Sequence, residues 1–247
     1  MSLFDIEHYQ LLLLLIAFMA ILYSSVGHGG ASGYLAAMAL FGLAPEAMRP
    51  AALTMNIFVA SLVLWRLNKA RFFKPQLFMP IIAGSIPAAF IGGRLTLDET
   101  SFRVVVAVFL LLAALHMLFR LPKSETTRPA NKWLASVLGI FLGFIAGLTG
   151  VGGGIYLSPI LLLLGWCSMR ESAAIAAGFI LVNSISGLAG YLSVSTALPA
   201  YIPLMVLCAL AGAVVGSELA VRRASPEFLR RLLGLVLVIA GIKMLFI

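Results

Sequence analysis

The sequence predicts an all-α polytopic membrane protein built from two homologous repeats, and three observations support this fold class. The 247-residue chain is 62% hydrophobic and 11% charged, with a mean hydropathy of +1.09, whereas charged residues make up about 25% of an ordinary soluble domain. Apolar runs of about 17 residues or more, long enough for a helix to cross a bilayer, recur along the chain. A glycine cluster interrupts an apolar run at the same place in each half.

The two glycine clusters, residues 27–30 and 150–154, align without gaps, and the alignment resumes further along the chain. The matched positions are Gly27 with Gly150, Gly29 with Gly152, Gly30 with Gly153, Gly42 with Gly165, Pro80 with Pro203, Gly92 with Gly216, and His116 to Phe119 with Lys243 to Phe246. We therefore predict a first repeat over residues 1–120, a cytoplasmic basic linker over 121–132 and a second repeat over 133–247.

The first repeat opens with an apolar run from about Tyr9 to Val26, a glycine-rich break, and a second run from Ala31 to about Phe41. As helix, the two runs would extend over ~45 Å, which is too long for one crossing and too short for two. A re-entrant hairpin or a discontinuous, tilted helix fits this length. Because exposed non-helical backbone cannot face lipid, the break must be buried in protein or line a wet cavity.

Three spans complete the first repeat, after a connecting segment over residues 45–50 that includes Arg49. The first span, from Ala51 to about Leu67, ends in a basic segment over 66–74. The second, from about Leu77 to Leu95, is rich in proline and small residues, which allow close approach of helices. The third runs from Val104 to Phe119.

The second repeat has the same order of elements. An apolar run from Trp133 to Leu148 precedes the second glycine break, and a run from Ile155 to Leu164 follows it. Three further spans are predicted over about 172–192, 201–221 and 232–247.

Loop charges favour a re-entrant form of both glycine-broken elements. If both crossed the membrane fully, the basic cluster at 222–231 would lie opposite those at 66–74 and 120–132. If both are re-entrant, all three basic clusters lie on the cytoplasmic face, and the nearly neutral loops at 94–103 and 193–199 lie on the other. Three spans in each half also place the second repeat upside down relative to the first, as in inverted-repeat transporters.

The sequence lacks the residue patterns that several classes of function require. The net charge of +8 falls in short loops between apolar runs, so it indicates membrane topology rather than nucleic-acid binding. Cys167 and Cys208 are far apart and suggest neither a disulfide framework nor a metal site. With no Walker loop, ligand cluster or nucleophile triad, we expect no cofactor, no metal and no enzymatic activity. Acidic Asp5 and Glu7 at the start indicate a retained membrane segment rather than a cleaved signal.

A helix that begins inside the membrane directs unpaired N–H groups and about half a positive charge at the space before it. Two such starts, backed by glycine that lets a ligand approach the backbone, predict a central anion site. Close helix packing is the alternative role for these glycines. The predicted substrate-binding residues are Gly27, His28, Gly29, Gly30, Thr54, Asn56, Gly150, Gly152, Gly153, Gly154, Asn183 and Ser186.

The polar side chains in this set have two interpretations each. Thr54 and Asn56, and Asn183 with its neighbours Ser184 and Ser186, supply donors for oxygen-rich anions or hydrogen bonds between helices. His28 is the candidate for proton coupling, or else a satisfied histidine at the edge of a cavity. Arg94 and Glu218 occupy equivalent repeat positions and are expected at the membrane interface.

These features together resemble the sulfite exporter TauE/SafE family, also called the TSUP permeases. Four features carry the resemblance: the duplicated G-x-G-G-G element, the Pro-Gly-rich span over about 77–95, the basic linker and the chain length. The resemblance is strongest at 150–154 with Pro159. The first half departs from the family pattern at His28, Ala31 and Ala36. The resemblance implies secondary transport of sulfite, sulfoacetate or related organosulfonates across the bacterial inner membrane.

We therefore expect a multi-pass inner-membrane permease for a small sulfur-containing anion, working by alternating access and running as an exporter. The alternatives are a non-transporting membrane scaffold or partner in sulfur or cofactor delivery, and an intramembrane enzyme that would lack a catalytic constellation. The sequence leaves substrate, coupling ion and oligomeric state open, with a homodimer as one candidate assembly.

Overall fold

The computed structural model describes residues 8–25, 27–118, 128–195, 198–222 and 226–246. Within these ranges the secondary structure is helical, and strands are absent from them. The helices in chain order are α1 (Tyr9–Ser25), α2 (Ala31–Leu40), α3 (Pro45–Lys69), α4 (Pro75–Arg94), α5 (Glu99–Leu118), α6 (Lys132–Thr149), α7 (Gly154–Leu163), α8 (Met169–Leu192), α9 (Ile202–Arg222) and α10 (Pro226–Phe246). The predicted all-α class is confirmed.

Both predicted breaks are present, one between α1 and α2 and one between α6 and α7. The residues that precede α2 and α7 have left-handed backbones, with φ of 98° at Gly30 and 66° at Gly153. A side chain is strained in this region of φ/ψ space and glycine is not. The glycine clusters therefore end one helix and allow the next to begin in a new direction.

The start of α3 differs from the prediction. Residues 45–50 do not connect two elements, because α3 begins at Pro45 and includes Arg49 and Pro50. Pro45 lies in the first turn, where the N–H that proline lacks would have no partner within the helix. Among the described residues, four helices are long and apolar enough to cross a membrane, namely α3, α4, α6 and α8.

The helices on either side of each break fold back on one another. Arg128 N, just before α6, donates to Gly165 O, just after α7, at 2.6 Å. A Cβ added at Gly153 would lie 3.1 Å from Leu142 O, so α7 begins beside the middle of α6 and returns to the side where α6 began. In the first half, the hydroxyls of Tyr23 and Ser32 are 2.5 Å apart, which places α2 against α1.

The helices pack in pairs that join the two halves. α4 packs along α6, α1 along α9, α5 along α10 and α3 along α8. The first half holds α1–α5 and the second holds the corresponding helices α6–α10. If each helix is replaced by its counterpart, the α4–α6 pair becomes α9–α1, and the α3–α8 and α5–α10 pairs are unchanged. The closest packing is between backbones, since a Cβ added at Gly139 would lie only 2.0 Å from Ile81 O, as expected where small residues line a helix contact.

Ion pairs and hydrogen bonds define two ends of the bundle. Lys74 Nζ is 2.9 Å from Glu171 Oε1, which joins the starts of α4 and α8. We call the surface formed by residues 66–74, 128–132 and 165–171 the basic face. At the other end, Tyr191 Oη donates to Glu46 O at 3.3 Å. Large apolar side chains between the two ends are exposed, including Trp133 at 79% and Phe141 at 62%, as expected of a surface that faces lipid.

Candidate functional site

The two helix breaks meet around one side chain, Ile180 of α8. A Cβ added at Gly29 would lie 2.9 Å from Ile180 Cγ2, and one added at Gly152 would lie 3.2 Å from the same atom. A Cβ at Gly154 would lie 2.5 Å from Ile180 Cδ1. A side chain at Gly29 or Gly154 would overlap Ile180 unless Ile180 moved, and one at Gly152 would be tightly packed against it.

A polar pair from the two halves lies beside this meeting point. Asn56 Nδ2 of α3 is 3.3 Å from Ser184 Oγ of α8, and both residues are fully buried. A Cβ added at Gly152 would lie 2.9 Å from the same Asn56 nitrogen. Asn56 Oδ1 has no hydrogen-bond partner, which is costly for a buried polar atom. Asn56 therefore keeps an unpaired acceptor, while its amide nitrogen has one of its two N–H groups engaged with Ser184.

The helix that follows each break starts within the protein. In α2, hydrogen bonding along the helix begins with Tyr34 N donating to Gly30 O at 3.0 Å, so the N–H groups of residues 31–33 precede the first bond of the ladder. In α7 the corresponding bond runs from Leu157 N to Gly153 O, at 3.1 Å. Ala31 and Gly154 are buried. The positive ends of two helix dipoles are thus held in low-dielectric surroundings, where they favour an anion.

His28 links the first break to the second half. Its side chain is 8% exposed, and its Nε2 atom is 3.2 Å from Ser158 Oγ of α7. Ser158 Oγ also donates to Ser172 O of α8, at 3.4 Å. Because the single hydroxyl proton of Ser158 is directed at Ser172 O, Nε2 of His28 is the donor to Ser158 Oγ, and this contact joins the first break to α7 in the neutral and the protonated ring alike.

The other predicted polar residues make hydrogen bonds within or between helices. Thr54 Oγ1 donates to Pro50 O at 2.7 Å, and Ser186 Oγ donates to Ile86 O of α4 at 2.6 Å. Asn183 Nδ2 donates to Phe179 O at 2.7 Å, while its buried Oδ1 has no partner. These contacts occupy the hydroxyl donors of Thr54 and Ser186, but an amide oxygen of Asn183 remains free.

The first glycine of each cluster lies apart from the meeting point at Ile180. A Cβ at Gly27 would lie 2.8 Å from Ala173 Cβ, and one at Gly150 would lie 3.2 Å from Arg49 O. The structure therefore brings Gly29, Gly152 and Gly154 together and places Gly27 and Gly150 towards the ends of the breaks, while Gly30 and Gly153 are the residues that precede α2 and α7.

Sequence reasoning missed Arg49, which is a buried cation. Only 5% of the residue is exposed. Its guanidinium donates to Gly147 O at 3.0 Å, Leu95 O at 2.7 Å and Gly92 O at 2.8 Å, and also to Gly93 O. The carbonyls come from the last turns of α4 and α6, where the helix dipole is negative.

Arg49 also stabilises the start of the second break. Its carbon Cζ lies 5.5 Å from the centre of the Tyr191 ring, a cation–π distance, and its backbone faces Gly150. Arginine in a short segment between two prolines, with Glu46 as the other charged residue, was the available signal. The carbonyls that accept from the Arg49 guanidinium lie 43 to 98 residues away in the sequence, so the sequence did not reveal them.

Two buried helix starts within a bundle of membrane-spanning helices define a discontinuous-helix membrane protein, the architecture of secondary transporters. The chain belongs to the sulfite exporter TauE/SafE family, whose sequence model matches residues 12–244.

Three curated relatives agree with this class. A probable membrane transporter protein of Sinorhizobium fredii is 33% identical over 92% of this chain and 94% of its own length. One of Methanocaldococcus jannaschii is 28% identical over 95% and 94%, and one of Bacillus subtilis is 27% identical over 92% and 96%. No solved structure is significantly similar. The chain is a multi-pass helical membrane protein of a transporter family.

Proposed function

We propose that this protein is a secondary permease that exports a small sulfur-containing anion, such as sulfite or an organosulfonate, across the bacterial inner membrane. The observation that carries the proposal is the meeting of both glycine breaks at Ile180, beside the Asn56–Ser184 pair. The family supplies the substrate class, because it is described as a family of sulfite exporters.

The chemistry of the meeting point suits a small oxyanion. Backbone N–H groups at two helix starts and the amide nitrogen of Asn56 are donors, and an oxyanion presents several acceptor oxygens to them. Donors held in low dielectric act on a negative charge far more strongly than they would in water. Glycine leaves no Cβ in front of the backbone, so a movement of the Ile180 side chain, which fills this volume, would let the oxyanion reach the backbone itself.

Alternating access follows from the pairing of the helices. Exchanging the helices of the two halves converts the α4–α6 contact into α9–α1, as expected of two repeats. We propose that the repeats are inverted, because a re-entrant hairpin followed by three spans reverses the direction in which the next repeat enters the membrane. Each hairpin, α1–α2 or α6–α7, then packs against a span of the other half. Rocking these units about the shared α3–α8 contact would open the central site first to one side and then to the other.

The membrane potential favours export without a coupled ion. A potential that is negative inside drives an anion outward by about 2.3 kcal/mol per charge per 100 mV. Uptake of the same anion would need a coupled cation, and His28 is the candidate proton carrier in the predicted site.

A flux experiment tests this function. The full chain is reconstituted in vesicles loaded with sulfite, and a potassium diffusion potential of about −100 mV is imposed, which corresponds to about a fiftyfold equilibrium ratio for a monovalent anion. We expect voltage-driven sulfite efflux with no ion gradient, and little efflux of chloride. Sulfoacetate in a parallel set of vesicles tests the organosulfonate class.

The controls separate transport from the alternatives. Protein-free vesicles measure passive leak, and a His28→Gln variant under an imposed pH gradient tests proton coupling. No efflux of either sulfur anion at any voltage or pH gradient, together with a partner protein that copurifies stoichiometrically, would contradict the permease and favour a scaffold.

A further inference from the structure

A cavity of about 320 Å³ opens on the basic face, apart from the helix breaks. It lies between the first turns of α4 and α6 and the segment that follows α7. Lys74, Arg128 and Lys132 line it, with Trp166 and the apolar residues Leu77 and Pro80. Its lining residues include none of the central site, so the mechanism proposed above does not account for it.

The charge of this cavity is positive. Among its described lining residues there are three cations and no carboxylate. Lys74 forms an ion pair with Glu171 at 2.9 Å, which leaves the charges of Arg128 and Lys132 in surplus. The first turns of α4 and α6 also direct the positive ends of their dipoles towards it.

The backbone around the cavity is fixed by hydrogen bonds. Arg128 N donates to Gly165 O at 2.6 Å. Asn131 Oδ1 accepts from Trp133 N and Leu134 N at 3.0 and 3.1 Å, which fixes the start of α6 at Lys132. The two surplus cations therefore project from a closed end of the α6–α7 hairpin rather than from a free loop.

The surroundings of the cavity match the membrane interface. Trp166 is largely buried in its wall, at 8% exposure, while Met79 and Trp133, next to the lining residues in sequence, are 61% and 79% exposed. Exposed apolar side chains beside a basic pocket at the end of two membrane helices suit acyl chains below an anionic headgroup.

We propose that this pocket binds a phosphate-bearing anion through Arg128 and Lys132, with Lys74 as a third cation. An anionic phospholipid of the inner leaflet supplies this chemistry at the observed position, and free phosphate supplies the same chemistry from solution. Binding there would tie the closed end of the α6–α7 hairpin to the start of α4.

Native mass spectrometry of the full chain, purified and delipidated in detergent, tests the proposal. We expect one tightly held phosphatidylglycerol per protein when this lipid is added, and none of comparable affinity with phosphatidylcholine. The double variant Arg128→Gln/Lys132→Gln should weaken phosphatidylglycerol binding by about thirtyfold, since each basic residue contributes several-fold near an anionic headgroup.

Matched variants make the result specific. Lys69→Gln/Arg71→Gln removes the same charge from exposed positions of the basic face outside the cavity and should leave binding unchanged. Arg128→Lys/Lys132→Arg keeps the charge and should retain binding, which excludes general misfolding as the cause of a loss.

The arms of the experiment also identify the source of the anion. If millimolar inorganic phosphate protects the wild type against thermal unfolding, through the same two cations, and phosphatidylglycerol does not bind, the pocket takes a soluble phosphate. If neither probe binds, or if the Lys69/Arg71 control loses as much binding as the pocket variant, the proposal is wrong.

Discussion

At the scale of single residues, the buried guanidinium of Arg49 has the largest structural consequence. It hydrogen-bonds to carbonyls at the ends of both α4 and α6, so one side chain joins a span of the first half to the hairpin of the second. A buried charge is tolerated only where hydrogen bonds replace its water. Here backbone carbonyls at two negative helix ends do so.

Replacing this side chain should destabilise the protein. We predict that Arg49→Gln lowers the free energy of unfolding by about 3 kcal/mol, because several buried carbonyls lose their donor at once. Arg49→Lys should cost less, since an ammonium keeps the charge but lacks the planar fork. Thermal unfolding in detergent, followed by tryptophan fluorescence, measures the change.

The exposed Arg94 provides the control. Arg94→Gln removes an equal charge from the last turn of α4, a helix whose carbonyls Arg49 binds, and should leave the unfolding temperature unchanged. Equal unfolding temperatures for Arg49→Gln and the wild type would contradict the role assigned to Arg49.

Some central residues could be predicted from sequence and others could not. Gly29 and Gly152 were predicted because each lies in a glycine cluster that interrupts an apolar run, and Asn56 because an amide in a span is a donor for an oxygen-rich anion or for another helix. The partners themselves, Ser184 and Ile180, come from long-range packing. Thr54 and Ser186 have the right chemistry, but their hydroxyls donate to backbone carbonyls.

At the scale of elements, the two hairpins determine the number of crossings. Length alone does not distinguish a re-entrant hairpin from a tilted, broken span, since both need about 30 helical residues. The hydrogen bond from Arg128 N to Gly165 O decides the geometry of α6–α7. It places the starts of α6 and α8 at the same end of the bundle.

This geometry, with the loop charges that indicate which end is cytoplasmic, predicts the sides from which single cysteines can be labelled. Lys132→Cys and Met169→Cys, at the starts of α6 and α8, should react with an impermeant maleimide only from the cytoplasmic side, and Ser193→Cys, after α8, only from the periplasmic side. All three positions are exposed. Labelling in right-side-out and inverted vesicles gives the answer.

The native cysteines need separate treatment. Cys208 is replaced by serine, while Cys167 remains as an internal background. Burial and, to a smaller extent, the nearby Glu171 carboxylate raise the pKa of the Cys167 thiol to about 12 against a lowering effect of Lys74, so the thiol is neutral and slow to react at pH 7.5. If Lys132→Cys and Met169→Cys were labelled from opposite sides, α6–α7 would cross the membrane and the hairpin would be wrong.

At the scale of the whole molecule, the contacts join each half to the other more than to itself. α1 lies along α9 and α6 along α4, and the two breaks meet between them. Ion pairs also connect the two halves at the basic face, one between Lys74 and Glu171 and one between Arg66 and Glu218. Relative movement of the halves would therefore expose or close a central site between them, as the proposed alternating access requires.

The central claim is that an anion is held where the two helix breaks meet, and calorimetric titration of sulfite into the purified protein tests it most directly. The test variant is Gly29→Ala, whose Cβ would lie 2.9 Å from Ile180 Cγ2. The control is Gly42→Ala, whose Cβ would have nothing within 4 Å although its φ is +68°.

We predict one sulfite site in the wild type and in Gly29→Ala/Ile180→Ala, where space is restored. Gly29→Ala alone should bind sulfite at least about tenfold more weakly, since crowding at Ile180 displaces the backbone donors, while Gly42→Ala should bind it normally. Sulfite affinity equal in Gly29→Ala and the wild type, or reduced equally in Gly42→Ala, would contradict a site at the breaks.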